Sequence, residues 1–160
     1  MSILMILIGV VIGLVLAAYG MTKYMIVSIK IEGKTFDELN EAIKKTIPSF
    51  EGWSFPIETW KFYESQLSKG LTYDNIKNMV IHFVCKPALA NQMLRRFPYF
   101  GGIMPCSWAV YETVDGELYI AKMNIKLMSY IFQGFIGKLM KEVAKTEEEM
   151  LEKIKNYKSN

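Results

Sequence analysis

"CSWAVYETVDGELYIAKMN", residues 106–124, is the stretch that decides the fold. Asp115-Gly116 sits between two apolar, aromatic runs, and an Asp-Gly step in that setting closes an antiparallel hairpin. A two-residue loop sets Tyr111 opposite Ile120 and Trp108 opposite Met123. Upstream, "NMVIHFVC" (78–85) is almost wholly apolar and rich in β-branched residues, which suits a buried strand. "YMIVSIKI" (24–31) alternates, with Met25, Val27, Ile29 and Ile31 on one face and Ser28 and Lys30 on the other, so it reads as a half-buried strand.

Helices fill the intervals. In "TFDELNEAIKKTIP", Thr35 and Glu38 form a capping box, Phe36, Leu39, Ile43 and Ile47 share one face, and Pro48 stops the run. "SFEGWSFP" reads as a loop. "IETWKFYESQLSKG" reads as a second helix ending at Gly70, with Trp60, Tyr63 and Leu67 inward. "PALANQMLRRF" opens on Pro87, where a missing N–H costs nothing, and turns Leu89, Met93 and Leu94 inward. From Leu127 the chain is helical, with Ile131, Phe135, Leu139 and Val143 in a broad stripe. Thr146 and Glu149 suggest a restart, and "EKIKNYKSN" a frayed tail. Strand, helix, helix, strand, helix, hairpin, helix predicts an α+β domain: a small antiparallel sheet with helices packed on one face.

The first 22 residues carry no charged side chain, and Ile3 to Tyr19 is continuous apolar sequence. A bilayer core takes about 20 apolar residues in a helix. A cleaved signal would carry a positive n-region, and only Met1 and Ser2 precede the run, so an uncleaved single-pass anchor is expected over 1–22, with a soluble domain over 23–160. Lys23, Lys30 and Lys34 follow the span, which places the domain in the cytoplasm by the positive-inside rule. Gly9, Gly13 and Ala17 recur every fourth residue. Such a stripe permits close helix pairing in lipid, although glycine is also simply frequent in membrane helices.

Of the 160 residues, 51% are apolar and 13% aromatic, enough for a packed core. The net charge of +3 is spread along the chain and does not form the basic stripe of a nucleic-acid binder. Two cysteines do not make a disulfide-stapled scaffold. No P-loop, dinucleotide-binding glycine turn, nucleophile elbow or zincin helix is present, which leaves enzyme as the minority reading.

The chemistry-bearing candidates are Cys85, Cys106, Met104 and Glu112. Cys85 ends one expected strand and Cys106 begins another, both beside prolines. Lys86, Arg95 and Arg96 lie near enough in sequence to favour a thiolate, but buried inert thiols are the competing reading. Cys85, Cys106 and Met104 form a conceivable soft-metal set. His82 is three residues from Cys85, so strand alternation turns it to the other face, where a buried, hydrogen-bonded histidine is expected. Glu112 is an acid/base candidate if buried and a solvated side chain if not. Arg95, Arg96, Phe97, Tyr99 and Phe100 form a basic-aromatic segment that either meets lipid headgroups or folds back onto the core.

These residues also carry a family resemblance. Cys85, Pro87 and Ala90, then Pro105-Cys106, Val110-Tyr111-Glu112, Asp115-Gly116 and Met123-Asn124, resemble the "domain of unknown function 302" family over about residues 70–130. The resemblance implies a compact α+β domain that pairs as a homodimer and has no established activity. The anchor, and Trp108 where a basic residue often follows the cysteine, depart from that pattern. The expectation is therefore a membrane-anchored dimeric domain that binds a small ligand or partner near Cys85 and Cys106. Thiol-based metal, redox or sulfur chemistry, and an accessory role in a membrane complex, are the alternatives. No cofactor can be named.

Overall fold

A computed structural model describes residues 3–158; Met1, Ser2, Ser159 and Asn160, parts of the expected anchor and tail, lie outside the described residues. Helix α1 (Ile3–Tyr24) has no buried segment over Met5–Tyr24. Its Met5–Tyr24 segment, with a mean hydropathy of 2.3, is long and apolar enough to cross a membrane. An added Cβ at Gly9 or Gly13 would meet nothing within 4 Å, so that side of the helix is open.

Ordered along the chain, β1 (Ile26–Ile31), α2 (Phe36–Thr46), β2 (Ser54–Trp60), α3 (Phe62–Leu67), β3 (Ile76–Cys85), α4 (Pro87–Leu94), β4 (Cys106–Thr113), β5 (Leu118–Met123), α5 (Ile125–Ile131) and α6 (Gly134–Asn156) complete the described elements. Two 3-10 turns, Ile47–Ser49 and Pro98–Ile103, join them. The five strands form one antiparallel sheet in the order β1-β5-β4-β3-β2. This is the α+β architecture the hairpin and its neighbours imply.

The register lays the inward side chains in rows. Ile29, Ile120, Val110 and Val80 are neighbours across four strands. They join Leu39, Ile43 and Ile47 from α2 and the following turn, and Met150, Leu151 and Ile154 from α6, in the main core. The capping box at Thr35 and Glu38 is present, and Leu39 and Ile43 are fully buried, because the 3.6-residue repeat puts them on one side of α2.

The adjacent inward row is polar: Lys122, Trp108 and His82 stand side by side on β5, β4 and β3. Each is tied to a helix. Lys122 Nζ donates to Glu147 of α6 at 2.6 Å, and Trp108 Nε1 donates to the same carboxylate at 3.3 Å. His82 bonds Asn40 of α2 at 2.7 Å and Thr59 of β2 at 3.0 Å. Lys122 keeps 9% of its side-chain surface and Glu147 only 1%, so this is a core ion pair. Burial holds the Glu147 carboxyl above its usual range, against the pull of Lys122.

Four expectations need correction. The hairpin has a three-residue loop: Thr113 N–H donates to Glu117 O at 2.9 Å, and Gly116 takes φ +80°. A loop closing on a left-handed glycine shifts the register by one, setting Tyr111 against Tyr119 and Trp108 against Lys122. Residues 54–60 are an edge strand, not loop and helix. The register shifts twice along it, hiding the alternation, and Pro56 is tolerated because an edge strand has spare N–H positions. Trp60 and Leu67 are accordingly exposed. Helix α6 runs unbroken through Thr146, whose hydroxyl donates back to Glu142 O at 3.1 Å; the break falls earlier, at Phe132 and Gln133. A Cβ at Gly137 would collide with the Phe132 carbonyl oxygen, so only glycine fits that junction. Finally, the tail is packed: Ile154 is fully buried and Lys34 Nζ donates to the Tyr157 carbonyl.

Lys122→Met leaves the Glu147 carboxylate in the core without its counter-charge, which costs about 3–5 kcal/mol. A neutral acid tolerates that site better than an anion, so the deficit should widen from about pH 5 to about pH 8. Urea unfolding of the full chain in micelles checks both the deficit and its pH trend. Lys122→Met/Glu147→Leu should recover most of the loss, whereas an undiminished single variant would mean that the pair anchors nothing.

Candidate functional site

Strand β3 ends, and β4 begins, at the same end of the sheet, because they are antiparallel neighbours with Val84 opposite Cys106. The chain leaves β3 into α4 through Pro87 and returns to β4 through the Pro98–Ile103 turn. A cavity of about 70 Å³ lies among these segments, the end of β5 and the middle of α6. Cys85, Cys106 and Met104 all line it, so three of the four candidates come together. Three further methionines join them: Met93 from α4, Met123 from β5 and Met140 from α6. Trp53, Leu89 and Leu139 complete much of the apolar wall.

Glu112 does not belong here. Six residues along β4 from Cys106, it lies about 20 Å away at the strand's rise. Its carboxylate accepts from Lys77 at 2.9 Å with 17% of its side chain exposed. It is neither the unpaired buried acid nor the freely solvated side chain of the two sequence readings. His82 is buried as expected, and both ring nitrogens are engaged. Burial, with Lys44 acting in the same direction, brings its pKa down to about 4.

Both cysteines are free thiols. Burial pushes Cys106 up to about 12, with Glu147 and Cys85 adding to the shift and Lys122 opposing it. Burial also raises Cys85. Two of the three basic residues expected to favour a thiolate are engaged elsewhere: Lys86 pairs with Glu142 at 3.5 Å, and the Arg96 guanidinium lies 4.0 Å from the Phe135 ring centre. The neighbouring aromatics fold back, with Phe100 buried against Phe97 and Phe132, while Tyr99 stays exposed.

The cavity adjoins the end of α1. Asn124, between cavity residues Met123 and Ile125, donates its backbone N–H to Met25 O at 2.8 Å and its amide to Tyr24 O at 3.1 Å. Its side-chain oxygen also caps α5, accepting from Leu127 N at 3.0 Å. One asparagine thus ties the end of α1 to the cavity wall. Two strand spacings, about 10 Å, separate β1 from β4.

A wider groove of about 520 Å³ between α2 and β2 is less informative. Asp37, Lys44, Glu58, Lys61 and Glu64 line it with alternating sign, so it presents no consistent field to a charged ligand.

Their places at strand ends beside prolines bring Cys85 and Cys106 into view in the sequence; Met93, Met123 and Met140 are hidden there among ordinary packing residues. A thiol with a pKa near 12 is thiolate to roughly one part in ten thousand at pH 8. Timed alkylation of the folded full chain, read by mass spectrometry, should therefore modify Cys85 well before Cys106, and denaturant should equalise them. Equal rates in the folded chain would contradict the burial of Cys106.

Comparison with known proteins agrees with this architecture. An uncharacterised protein of Aquifex aeolicus (strain VF5) is 28% identical over 81 residues, which cover 50% of this chain and 56% of that protein's length. The crystal structure of an uncharacterised conserved protein DUF302 from Bacillus stearothermophilus superposes with a TM-score of 0.67 at 20% identity, over 81% of this chain and 98% of that one. Residues 28–156 match the family described as domain of unknown function DUF302, and the chain belongs to that family.

Proposed function

We propose that this is a membrane-tethered binding module that takes one small ligand into the cavity beside Cys85 and Cys106. The observation that carries the reading is the cavity's place and lining: apolar, next to the anchor's end, and walled by both thiols. At about 70 Å³ it is far below the roughly 300–1,000 Å³ of sites for drug-sized molecules, so nucleotides and similar cofactors are too large. Neutral thiols suit binding better than thiolate-driven redox or sulfur transfer. An accessory role in a membrane complex would use the same anchor and leave the cavity without a task.

Xenon tests the cavity directly, because dry apolar cavities take it up. A saturable xenon NMR shift is expected for the full chain in micelles and should be lost in Ala90→Phe, which fills the lining, provided circular dichroism matches the parent. No saturable shift in the parent would sink the reading.

The same proposal places α1 across the membrane with the domain on the cytoplasmic side and pairs two copies. The basic residues after the span support the side. The open stripe at Gly9, Gly13 and Ala17 supports the pairing. Protease should cut the domain in inside-out vesicles and spare it in intact spheroplasts; the opposite pattern reverses the orientation. Native mass spectrometry should give a dimer that Gly13→Ile weakens, and a monomeric parent would remove the pairing.

A further inference from the structure

Six sulfur-bearing residues line the cavity of about 70 Å³: Cys85, Cys106, Met93, Met104, Met123 and Met140. They come from five places along the chain, namely the ends of β3 and β5, the start of β4 with the residue two before it, α4 and α6. The lining offers no carboxylate, imidazole or hydroxyl, and Lys86 is its sole charged member, its ammonium turned to Glu142. Among the described residues no group of three or more His, Cys, Asp or Glu side chains converges as a metal site. Hard cations, which need oxygen ligands, find no side-chain oxygen here, and zinc finds only two of its usual four thiolate, imidazole or carboxylate donors. A soft cation is in the opposite position, because thiolate and thioether sulfur are the donors that select Cu(I).

Donor softness carries the choice of ion, because two thiolates balance a divalent ion and leave one negative charge beside a monovalent one, so charge alone does not select Cu(I). Size also agrees, since a single ion bound to its own lining needs no room for an organic ligand.

We propose that the cavity holds one cuprous ion between Cys85 and Cys106, with Met104 as the supporting thioether. The proposal rests on the binding reading above and names its ligand class. On uptake two S–H bonds break and two Cu–S bonds form; both protons go to solvent, and copper stays in the +1 state throughout. The site sits beside Asn124, which holds the end of α1, so an ion bound there lies close to the membrane end of the domain.

The test titrates the full chain in micelles with Cu(I), anaerobically, against a chromophoric Cu(I) chelator. One ion per chain is expected, with sulfur alone in the X-ray absorption coordination shell. Cys85→Ser and Cys106→Ser should each weaken binding about 100-fold or more, at or beyond the upper end of what metal sites lose through a supporting residue. Met104→Leu should weaken it less while leaving alkylation of the apo chain unchanged, which separates ligation from misfolding. Unaltered affinity in the cysteine variants would put the ion elsewhere and overturn the proposal, as would nitrogen or oxygen in the coordination shell. Equal affinity for Zn(II) would overturn the softness argument. Xenon uptake without copper binding defeats this inference and spares the binding reading; absence of both defeats both.

Discussion

Everything on the helical side of the sheet is arranged around one polar row, Lys122, Trp108 and His82. Apolar packing alone lets a helix slide or rotate at small cost, because one aliphatic side chain replaces another with modest change. A buried carboxylate has no such freedom. Glu147 must meet both Lys122 Nζ and the Trp108 indole N–H, which sets where α6 crosses β4 and β5. Asn40 must meet His82, which does the same for α2 over β3. Replacing a buried pair by apolar residues is often no loss of stability, so its contribution here is to position the helices more than to strengthen the core.

That positioning creates the cavity. Cys106 follows immediately on the polar row, two residues from Trp108 on the same face of β4, and Met140 lies two helical turns before Glu147 on α6. With α6 pinned at Glu147, its earlier turns stand over the end of the sheet, where α4 and the Pro98–Ile103 turn close the remaining sides. Four of the side chains that fill this corner are methionines, Met93, Met104, Met123 and Met140. Their unbranched chains adapt to irregular space, and their sulfur gives the wall a chemistry that leucine would lack.

Much of this was legible in the residues. The Asp-Gly turn, the capping box at Thr35 and the inward stripe of α2 each carry a local signal that tertiary structure left in place. The failures share a cause: the local signal was degenerate. Asp-Gly suits either loop length, and the choice between them moved every cross-strand partner by one. In "IETW" the bulges of an edge strand broke the period of two, and the spacing of Trp60 with Tyr63 and Leu67, which do lie on α3, extended that short helix back into the strand. Lys122 and Glu147 were legible in principle. Lys122 follows Leu118 and Ile120 on the inward parity of β5, and Glu147 continues the stripe of Met140, Val143 and Ala144 toward Met150 and Ile154. A single inward charge looks like an exception, while two of opposite sign on elements that pack together imply a pair. The cavity's methionines carried no comparable mark, because Met is equally at home as filler.

One connection ties the family fold to α1. Asn124 ends the "KMN" of the resemblance, and in a soluble domain a cap on α5 would suffice to explain it. Here the same side chain also donates to the carbonyl of Tyr24, the last residue of α1, while its backbone holds Met25. The β1–β5 pairing begins at once, with Ile26 opposite Met123. Little free chain remains between the apolar helix and the cavity wall, so the two cannot move far apart without breaking sheet hydrogen bonds. A longer linker would let the domain range away from the helix. This one keeps the end of the sheet that carries Cys85 and Cys106 beside the end of the helix.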